Sequence, residues 1–463
     1  MGNEAYSGSK KFVLVAAVLL TTISSTASSY ANNVCLPYFL NDMDVYSLYA
    51  FYAAIASVGM MTALPMVGSM SAKFGSRNVI VFGLIAQFIC RVALAFCTQP
   101  VLFGILYCLM GFCGGMYMSA PYSVMAELVT AEERPKYFGF ITACSAAGAL
   151  IGPLLTGMIV DNFGPGPGLL IYIIFAVFPI IVYSTMYPNV KRPGTKFDLP
   201  GMAIFVVFVL CLVLWLSLGG NLFPFASVLG IGMPVVAVIA LVFLVSREKK
   251  VEHPAVPVKM FAYKRFRSAF IVQIFVVSYS TCAAAYGIRY ALEVMSLDAT
   301  ISSTVTMPQT VVQFILGLFM GGIMGKAFKK RFRPVALLGI VAYGVGLMIF
   351  YFLTPTSPVF IIYLATGIGG IGQAVVQATF AAFYQTELKP EDIRPAQGMY
   401  QFASTGGSSV FTAIVGAAMT MGMGLQQVFL LGTGFIAVGL VVAIFTFRFP
   451  KEEIEAERSV RQK

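Results

Sequence analysis

Charged residues are scarce in this chain. Asp, Glu, Lys and Arg make up 11% of its 463 residues, less than half of the roughly 25% found in an ordinary soluble protein. Hydrophobic residues make up 59%, and the mean hydropathy is +0.86. The shortage of charge excludes a typical water-soluble domain and indicates a chain that crosses a membrane many times.

Histidine and clustered cysteine are lacking as well. The single histidine, His253, lies in a predicted loop, and the eight cysteines lie in or beside apolar segments without a C-x-x-C pair. A metal site needs several such ligands close together, and Ser-His-Asp catalysis needs a histidine beside its nucleophile. The sequence therefore predicts a protein that is not an enzyme and that holds no metal and no cofactor.

Long apolar segments are what the chain has instead. A helix crosses the hydrocarbon core of a bilayer with about 20 apolar residues, and fourteen segments reach that length. They lie at 12–36, 46–71, 78–97, 101–126, 137–160, 168–188, 200–220, 223–245, 268–292, 301–325, 334–354, 358–385, 397–420 and 425–447. The predicted fold class is an all-α polytopic membrane protein with 14 transmembrane helices.

The net charge of +11 follows the predicted topology. With the N-terminus placed in the cytoplasm, all 30 Lys and Arg residues except Arg91 and Arg289 fall at cytoplasmic ends or loops, as the positive-inside rule expects. We therefore expect no nucleic-acid partner. We predict a multi-pass protein of the cytoplasmic membrane with both termini in the cytoplasm.

A cleavable signal peptide is the alternative for the N-terminus, with Lys10 and Lys11, an apolar core and then Ser29-Tyr30-Ala31. Its removal would invert the charge pattern of every later loop. The first span is therefore kept as part of the membrane domain.

A motif recurs in the two halves of the chain. AELVTAEERP (126–135) returns as TELKPEDIRP (386–395), at an offset of 260 residues, and each copy joins the fourth span of its half to the fifth. A weaker echo links GSMSAKFGSRN, after span 2, with GGIMGKAFKKRFR, after span 10. Spans 1–6 and 9–14 are therefore predicted to be parallel repeats.

These repeats predict the domain organisation. Residues 1–188 form an N-terminal six-helix bundle, 189–267 form an inserted helix pair with cytoplasmic linkers, and 268–463 form a C-terminal six-helix bundle with a short tail. Two six-helix pseudo-repeat bundles related by an axis along the membrane normal are typical of transporters, with the substrate site between the repeats near the midplane.

Two motifs carry a resemblance to a known family. GSMSAKFGSR (68–77) resembles the G-x-L-A-D-R-x-G-R-K loop of the major facilitator superfamily, and GFITACSAAGALIGPLLTG (139–157) resembles its antiporter motif G-(x8)-G-(x3)-G-P-(x2)-G-G. The matching residues are Gly68, Lys73, Gly75 and Arg77 in the first motif, and Gly139, Gly148, Gly152, Pro153 and Gly157 in the second. With fourteen spans, the chain is similar to the fourteen-helix drug:proton antiporter branch.

Several charges that this branch usually carries are missing. Ala72 occupies the acidic position of the first motif, Tyr107 lies where helix 4 usually has an arginine, and span 1 lacks the usual aspartate. Thr156 also replaces one glycine of the antiporter motif. Proton antiport therefore does not simply follow from the resemblance, and protons are one candidate coupling ion.

The first span instead carries TTISSTASSYANN (21–33), where ten of thirteen side chains can hydrogen-bond. An unpartnered polar side chain in hydrocarbon costs several kcal/mol, so we interpret the run as the wall of a polar, uncharged cavity. Bonds back to carbonyls one turn earlier are the alternative for part of the run. The candidate substrate-binding residues are Ser25, Ser28, Ser29, Asn32, Asn33, Tyr117, Tyr122, Ser278, Tyr279, Tyr286, Arg289, Gln309, Gln313, Gln373 and Gln377.

The two stray arginines leave alternatives open. Arg91 is far enough into span 3 to lie inside the membrane, where it either faces a cavity or reaches towards the outer headgroups. Arg289 has Glu293 four residues later, so a local ion pair and the binding of an anionic substrate group are both open.

Acidic residues are lacking in the middle of every span. Glu127 and Glu387 end spans 4 and 12, each seven residues before an arginine, and we predict that these pairs latch the inner gate. Glu127 is also the candidate for proton coupling. The candidate gating or coupling residues are Gly68, Lys73, Gly75, Arg77, Glu127, Arg134, Gly148, Gly152, Pro153, Glu387 and Arg394.

The sequence thus predicts a monomeric secondary transporter with alternating access. Its expected partners are membrane lipid and a medium-sized amphipathic organic solute, anionic or neutral, for example a bile-acid-like carboxylate, because a cavity without acids offers a cation no counter-ion. Uptake by symport, facilitated transport and efflux are all open. The alternatives are a multidrug:proton antiporter and a non-transporting receptor or sensor.

Overall fold

The structure is a computed structural model that describes residues 8–191, 198–219, 223–248, 250–251, 254–298, 301–302, 304–450 and 452–455, apart from the side chains of Ala50, Lys326 and Thr420. His253 therefore lies outside the described residues. Fourteen helices in the described part are long and apolar enough to span a membrane. They are α1 (Gly8–Asp42), α2 (Phe51–Phe74), α3 (Ser76–Ala95), α4 (Pro100–Leu128), α5 (Arg134–Phe163), α6 (Pro165–Met186), α7 (Leu199–Leu218), α8 (Val228–Glu248), α9 (Lys264–Glu293), α10 (Thr304–Met324), α11 (Phe328–Phe352), α12 (Val359–Gln385), α13 (Pro390–Met419) and α14 (Leu425–Thr446).

These helices confirm the predicted fold class. Each predicted span overlaps one helix, and the described ranges contain no β-strand, only an isolated bridge between Gly219 and Phe223. Several helices are longer than predicted. α1, for example, begins at Gly8 and continues to Asp42, because helical hydrogen bonding continues after the apolar sequence has ended.

Some of the spans are interrupted. α4 turns at Ser119 before its last segment, Ala120–Leu128. α9 contains a π-helical segment, Cys282–Gly287, a geometry that often marks functional places in α-helices. Between α2 and α3, Gly75 has a φ of +91°, which favours glycine because it has no Cβ to clash with the backbone.

Contacts divide the chain into two compact units. Unit 1 comprises Met1–Val124, Gly148–Phe261 and Pro390–Thr405, and unit 2 comprises Met125–Ala147, Ala262–Lys389 and Gly406–Lys463. α5 and α13 therefore each have their first half in one unit and their second half in the other. The domain boundaries predicted from the sequence repeats stay a prediction.

The inserted helices α7 and α8 belong to unit 1. They pack against each other, and α7 also packs against α2. The ring of Phe205 on α7 lies 5.7 Å from that of Phe402 on α13. At the other end of α7, Trp215 donates its indole N–H to the carbonyl oxygen of Gly230 on α8 at 2.7 Å. α7 therefore attaches the pair to its unit, and the bond at Trp215 holds α7 and α8 together.

Glycines allow two close helix crossings, one in each unit. In unit 2, a Cβ at Gly317 of α10 would lie 2.9 Å from backbone atoms of Gly139 and Ala143 on α5. In unit 1, a Cβ at Gly398 of α13 would overlap the carbonyl oxygen of Leu64 on α2, and one at Gly68 would overlap Pro395. Small residues permit such backbone approach in membranes. Each crossing joins one helix from each of the two predicted repeats, at positions that correspond in the predicted repeat alignment.

Gly317→Ala is expected to destabilise unit 2. The new Cβ meets backbone rather than a movable side chain, so α5 and α10 must separate, at a typical overpacking cost of about 1–3 kcal/mol. Gly322→Ala on the same helix is the matched control, because a Cβ there meets nothing within 4 Å. Thermal unfolding in detergent should show a lower Tm for Gly317→Ala alone. Equal values for the two variants would contradict the crossing.

Candidate functional site

The hydroxyls of the polar run on α1 bond largely to their own helix. Thr21 donates to the Ala17 carbonyl at 2.7 Å and Thr22 to the Val18 carbonyl at 3.1 Å. Ser28 and Ser29 both donate to the carbonyl of Ser25, at 3.1 and 2.9 Å. Such bonds to the preceding turn satisfy a hydroxyl locally. They explain how so many polar side chains are tolerated in one span.

The run nevertheless has two different faces. Thr21, Ser24 and Ser28 are buried in unit 1, whereas Ser29 and Asn33 are exposed at i and i+4. Ser25 is half-buried one turn before Ser29 and continues that exposed face. Of the predicted cavity residues on α1, Ser25, Ser29 and Asn33 therefore share a free face. Ser28 points inward instead.

Asn32 lies at the border between the two faces of α1. It is half-buried, and its buried side-chain oxygen Oδ1 has no hydrogen-bond partner in the described structure. Asn32 therefore has a buried acceptor that a hydrogen-bond donor could still satisfy.

The glycines of the antiporter motif pack against this run. A Cβ at Gly148 would overlap Ile23 and Thr26, and one at Gly152 would overlap Ala27. Pro153 follows inside α5, where it lacks the backbone N–H of a regular helix turn. The motif therefore sets how closely α5 approaches the polar face of α1. Its role in gating stays a prediction.

Arg91 faces neither lipid nor a cavity. Its side chain is fully buried in unit 1, where it donates to the carbonyl oxygens of Leu169 at 3.2 Å and Ser28 at 3.3 Å. Its guanidinium lies 5.4 Å from the centre of the Tyr172 ring. In the described part of the chain no carboxylate pairs with it, and its Nε has no partner.

The predicted aromatic residues of α4 lie in different surroundings. Tyr117 is buried and donates to the side-chain oxygen of Gln87 at 2.5 Å. Tyr122, on the last segment of α4, is half-buried. Tyr117 therefore belongs to the buried polar interior around α3, and Tyr122 is the better exposed of the two.

The structure brings the predicted glutamines of unit 2 together. Gln313 on α10 donates its amide to the oxygen of Gln377 on α12 at 3.0 Å. Tyr279 on α9 donates to the oxygen of Gln309 at 3.4 Å. These bonds join α9, α10 and α12 through side chains that the sequence had placed on helix faces only.

Gln373 on α12 is the most connected of these amides. Its side-chain oxygen accepts from Ser280 on α9 at 3.1 Å and from Tyr343 on α11 at 2.7 Å. The rings of Tyr343 and Tyr279 stack with centroids 4.4 Å apart, and Gly369 leaves the room that the Tyr279 ring fills.

Sequence reasoning missed Ser280 and Tyr343. Tyr343 lies in the apolar span α11, where a tyrosine looks like an ordinary packing residue. The sequence feature that could have identified Tyr343 is its position in AYGVG, because the glycines beside it permit a close neighbouring helix. Ser280 lies inside the SYST segment that contains the predicted residues Ser278 and Tyr279.

The π-helical segment of α9 follows directly after these side chains. Tyr286 lies within it and is half-buried. Ser278, just before it, is buried and donates to the carbonyl of Phe275 at 2.7 Å. Ser278 is thus satisfied inside its own helix, whereas the widened turn reorients the residues that follow it.

Arg289 has the local partner that its spacing suggests. Its Nε donates to Glu293 at 2.6 Å, and both side chains are about half exposed. The guanidinium and the carboxylate are one turn apart on the same face of α9, so the ion pair exists as predicted. A role for Arg289 in binding an anion stays a prediction.

The repeated Glu and Arg residues at the helix ends have other partners. Arg134 donates to the carbonyls of Ala126 at 3.2 Å and Gln385 at 3.3 Å. Glu387 accepts from the backbone N–H groups of Lys264 at 3.3 Å and Arg265 at 2.7 Å. A carboxylate is favourable there because the first N–H groups of α9 have no helical partners.

Arg394 and Glu127 complete the two copies of this motif. Arg394 is buried and donates to the Tyr187 hydroxyl at 2.8 Å, whereas Glu127 is exposed at the end of α4. The latch proposed for the two Glu–Arg pairs stays a prediction.

The loop between α2 and α3 holds the other motif residues. Gly75 has Asn189 beside its Cα, and the Asn189 side chain also accepts from the backbone N–H of Asn78 at 3.4 Å. Arg77 donates to the carbonyl of Ser184 at 3.5 Å, and Lys73 lies over the Phe74 ring. The loop is thereby attached to the end of α6.

A cluster of charges at the first turns of α9 and α11 holds the segment after α14. Glu453 pairs with Arg265 at 2.5 Å and with Lys329 at 3.4 Å. Burial acts to raise the pKa of Glu453, but the hydrogen bond from Arg265 and the two positive charges outweigh it, so that this pKa is lowered. The segment is therefore attached to α9 and α11.

A metal site is not supported in the described residues, which contain no group of three or more His, Cys, Asp or Glu side chains able to hold an ion. What they offer are amides, hydroxyls and aromatic rings on spanning helices.

The sequence profile of the Major Facilitator Superfamily matches residues 18–412, with a further match over 268–463. The chain belongs to this family. It is therefore a transporter and not an enzyme. Small molecules are the class of substrate to expect for it.

Individual relatives support the assignment to the superfamily. Multidrug resistance protein 3 of Bacillus subtilis is 23% identical over 428 residues, covering 90% of this chain and 81% of that protein. Multidrug transporter protein MdtP of the same organism is 25% identical over 263 residues, 56% of this chain and 48% of the relative. The crystal structure of the human organic anion transporter MFSD10 (TETRAN) has a TM-score of 0.62 at 13% identity and covers 94% of this chain and 99% of that one. At such identity the likeness shows the fold alone.

Cysteines introduced at Ser29 and Asn33 are expected to react with a charged, membrane-impermeant thiol reagent. Both positions are on the exposed face of α1, and such a reagent reaches them only if that face lines water rather than lipid. Ser24→Cys is the matched control, because Ser24 is fully buried on the same helix. Labelling above the level of the wild-type chain, which has eight cysteines of its own, is the measurement. No gain at Ser29 or Asn33 would place this face against lipid.

Proposed function

We propose that this superfamily member is a secondary transporter with alternating access for a medium-sized amphipathic solute that is anionic or neutral. It resides in the cytoplasmic membrane with both termini in the cytoplasm and acts as a monomer. A bile-acid-like carboxylate is one concrete candidate substrate. The proposal rests on the polar side chains of unit 2.

The orientation of three glutamines is the observation that carries the proposal. The oxygens of Gln309, Gln373 and Gln377 each accept a hydrogen bond within unit 2. An amide whose oxygen is occupied still has its NH2 group to donate. Three such donors suit a ligand that accepts hydrogen bonds, such as a carboxylate, a carbonyl or a hydroxyl.

A cation is disfavoured by the same composition. None of the chain's 19 Asp and Glu residues lies in the middle of a span, and an unpaired charge is costly in a medium of low dielectric constant.

The two glycine crossings suit alternating access. Backbone contact through glycine buries little polar surface, so α2 and α13, or α5 and α10, can separate without leaving charged groups unpaired. Rocking of rigid helical bodies about such contacts is a common way to open and close a transporter.

A multidrug:proton antiporter is the second candidate. It is favoured by the relatives named as multidrug proteins in Bacillus subtilis. Cation binding would then depend on aromatic rings such as Tyr30, Tyr117 and Tyr286, with Glu127 as the proton carrier. A receptor or sensor without transport is the weaker third candidate, since no observation on the described residues favours it.

Ligand-induced thermal stabilisation tests the substrate class. The purified chain is heated with amphipathic carboxylates, a bile acid among them, and with quaternary ammonium compounds of matched apolar size. A ligand of the native state raises Tm by mass action, and we expect stabilisation by the carboxylates. Stabilisation by the ammonium compounds alone would favour the multidrug antiporter, and uptake or efflux in proteoliposomes would then give the direction of transport.

Tyr343→Phe is expected to weaken binding of the most stabilising carboxylate by about tenfold. The variant removes the hydroxyl that orients Gln373 at 2.7 Å, and a hydrogen bond of this kind contributes about 1 kcal/mol, which is nearly a factor of ten. Tyr351→Phe, the same substitution on α11, is the control. Equal affinity in the two variants would move the site away from Gln373.

A further inference from the structure

A buried carboxylate lies at the end of the helix pair formed by α7 and α8. Glu248 is the last residue of α8, and it is fully buried in unit 1. Its Oε1 accepts from the backbone N–H of Val256 at 3.1 Å. Its Oε2 is buried without a hydrogen-bond partner in the described structure. None of the functional roles discussed above uses this oxygen.

The neighbouring charges do not neutralise Glu248. Asp198, just before α7, accepts from the N–H of Gly201 at 3.1 Å. Arg247 is turned to Asp198, with Nε 3.0 and 3.2 Å from its two oxygens and NH2 2.6 Å from Oδ1. One guanidinium is therefore already engaged with one carboxylate, and Glu248 is the second carboxylate of the group.

Asp198 remains the ionised member of this pair. Burial acts to raise its pKa, but the hydrogen bonds from Arg247 and from Gly201, together with the charge of Arg247, lower the pKa below the ordinary value. Both Asp198 Oδ2 and Glu248 Oε1 border the position that a Cβ of Gly201 would occupy. A negative charge on Glu248 would therefore face a permanent negative charge at close range.

The other contacts of Glu248 among the described residues are with uncharged groups. The segment at 255–256 contributes backbone groups, and on its far side Ser69 of α2 donates to the carbonyl of Ala255 at 3.4 Å. Within the described ranges, the charges that act on Glu248 are those of Asp198 and Arg247. In this arrangement the neutral acid is the favoured form, since burial of a second carboxylate without a cation is costly.

We propose that Glu248 is a proton-binding site of this transporter. A proton from water adds to the carboxylate while segment 255–256 is seated on it, and leaves when that segment separates and water reaches Oε2. Proton binding at Glu248 requires no substrate. Only its use in coupling rests on the transport function proposed above.

The site is connected to one of the two glycine crossings. Ser69, which binds segment 255–256, directly follows Gly68, and Gly68 packs on Pro395 at the start of α13. Seating of the segment therefore supports α2 where it meets α13. Release of the proton would loosen this support, so that the protonation of Glu248 and the closure of the crossing are linked.

The sign of the pH dependence follows from linkage. The seated arrangement binds one proton more than the separated one, so its stability falls as pH rises. Hydrogen exchange of the Val256 N–H, measured by mass spectrometry on the full chain in detergent without substrate, reports the seating directly. After correction for the intrinsic rate, we expect exchange to accelerate by about tenfold or more between about pH 6 and about pH 8.

Glu248→Gln is the decisive variant. Its amide oxygen still accepts from Val256 but has no charge, so we expect protection that is retained and independent of pH. Glu293→Gln, which removes the carboxylate paired with Arg289, is the control and should behave as the wild type does. A wild-type chain without pH dependence, or a Glu248→Gln variant that retains it, would overturn the proposal.

Asp198→Asn provides a second test should Glu248→Gln fold poorly. It removes the facing negative charge and frees Arg247 for Glu248, so the carboxylate loses its proton more readily. The acceleration of exchange should then shift to lower pH. An unchanged pH profile in this variant would also overturn the proposal. Because no ligand is present, either failure leaves the proposed substrate class untouched.

Discussion

Polar groups within a membrane must find their partners inside the protein, because hydrocarbon offers none. The described helices meet this constraint in three ways. Hydroxyls on α1 bond to carbonyls of their own helix, Arg91 bonds to carbonyls of α1 and α6, and the glutamines of unit 2 bond to one another and to tyrosines. Each solution removes some side chains from contact with a substrate and leaves others available.

This distinction narrows the candidate site more than burial alone does. Ser28 and Tyr117 are buried in unit 1, and Arg289 is paired with Glu293 on the exposed side of α9. Gln373 is different, because two donors share its oxygen and fix its orientation while its NH2 group is still to be used. A transporter needs groups of this kind, which are rigidly held but not saturated, because they bind a solute without a large cost of reorganisation.

The fold was predictable from the sequence because length and hydropathy decide which segments span a membrane, and all fourteen spans exist. The sequence predicted only in part which side chains share a face of a span and which helix that face contacts. The spacing of Gln313 and Gln377 indicated one helix face each, but the bond between them depends on the packing of α10 against α12. Arg91 and Glu387 show the limit most clearly, since their partners are backbone groups of distant helices, and no pattern of side chains in the sequence indicates them.

The charges that are missing from the usual positions of the superfamily bear on coupling. α1 has hydroxyls and amides instead of an aspartate, Ala72 replaces the acid of the loop motif, and Tyr107 replaces an arginine. A proton-coupled transporter still needs a carboxylate whose surroundings change between states. In unit 1 Glu248 is the carboxylate that we propose for this role, since it is buried with one oxygen unpaired in the described structure and its partner segment contacts α2. A proton carried there would act on the glycine crossing of α2 and α13 rather than on the substrate. An uncharged binding face and a proton-coupled cycle are then compatible in one chain.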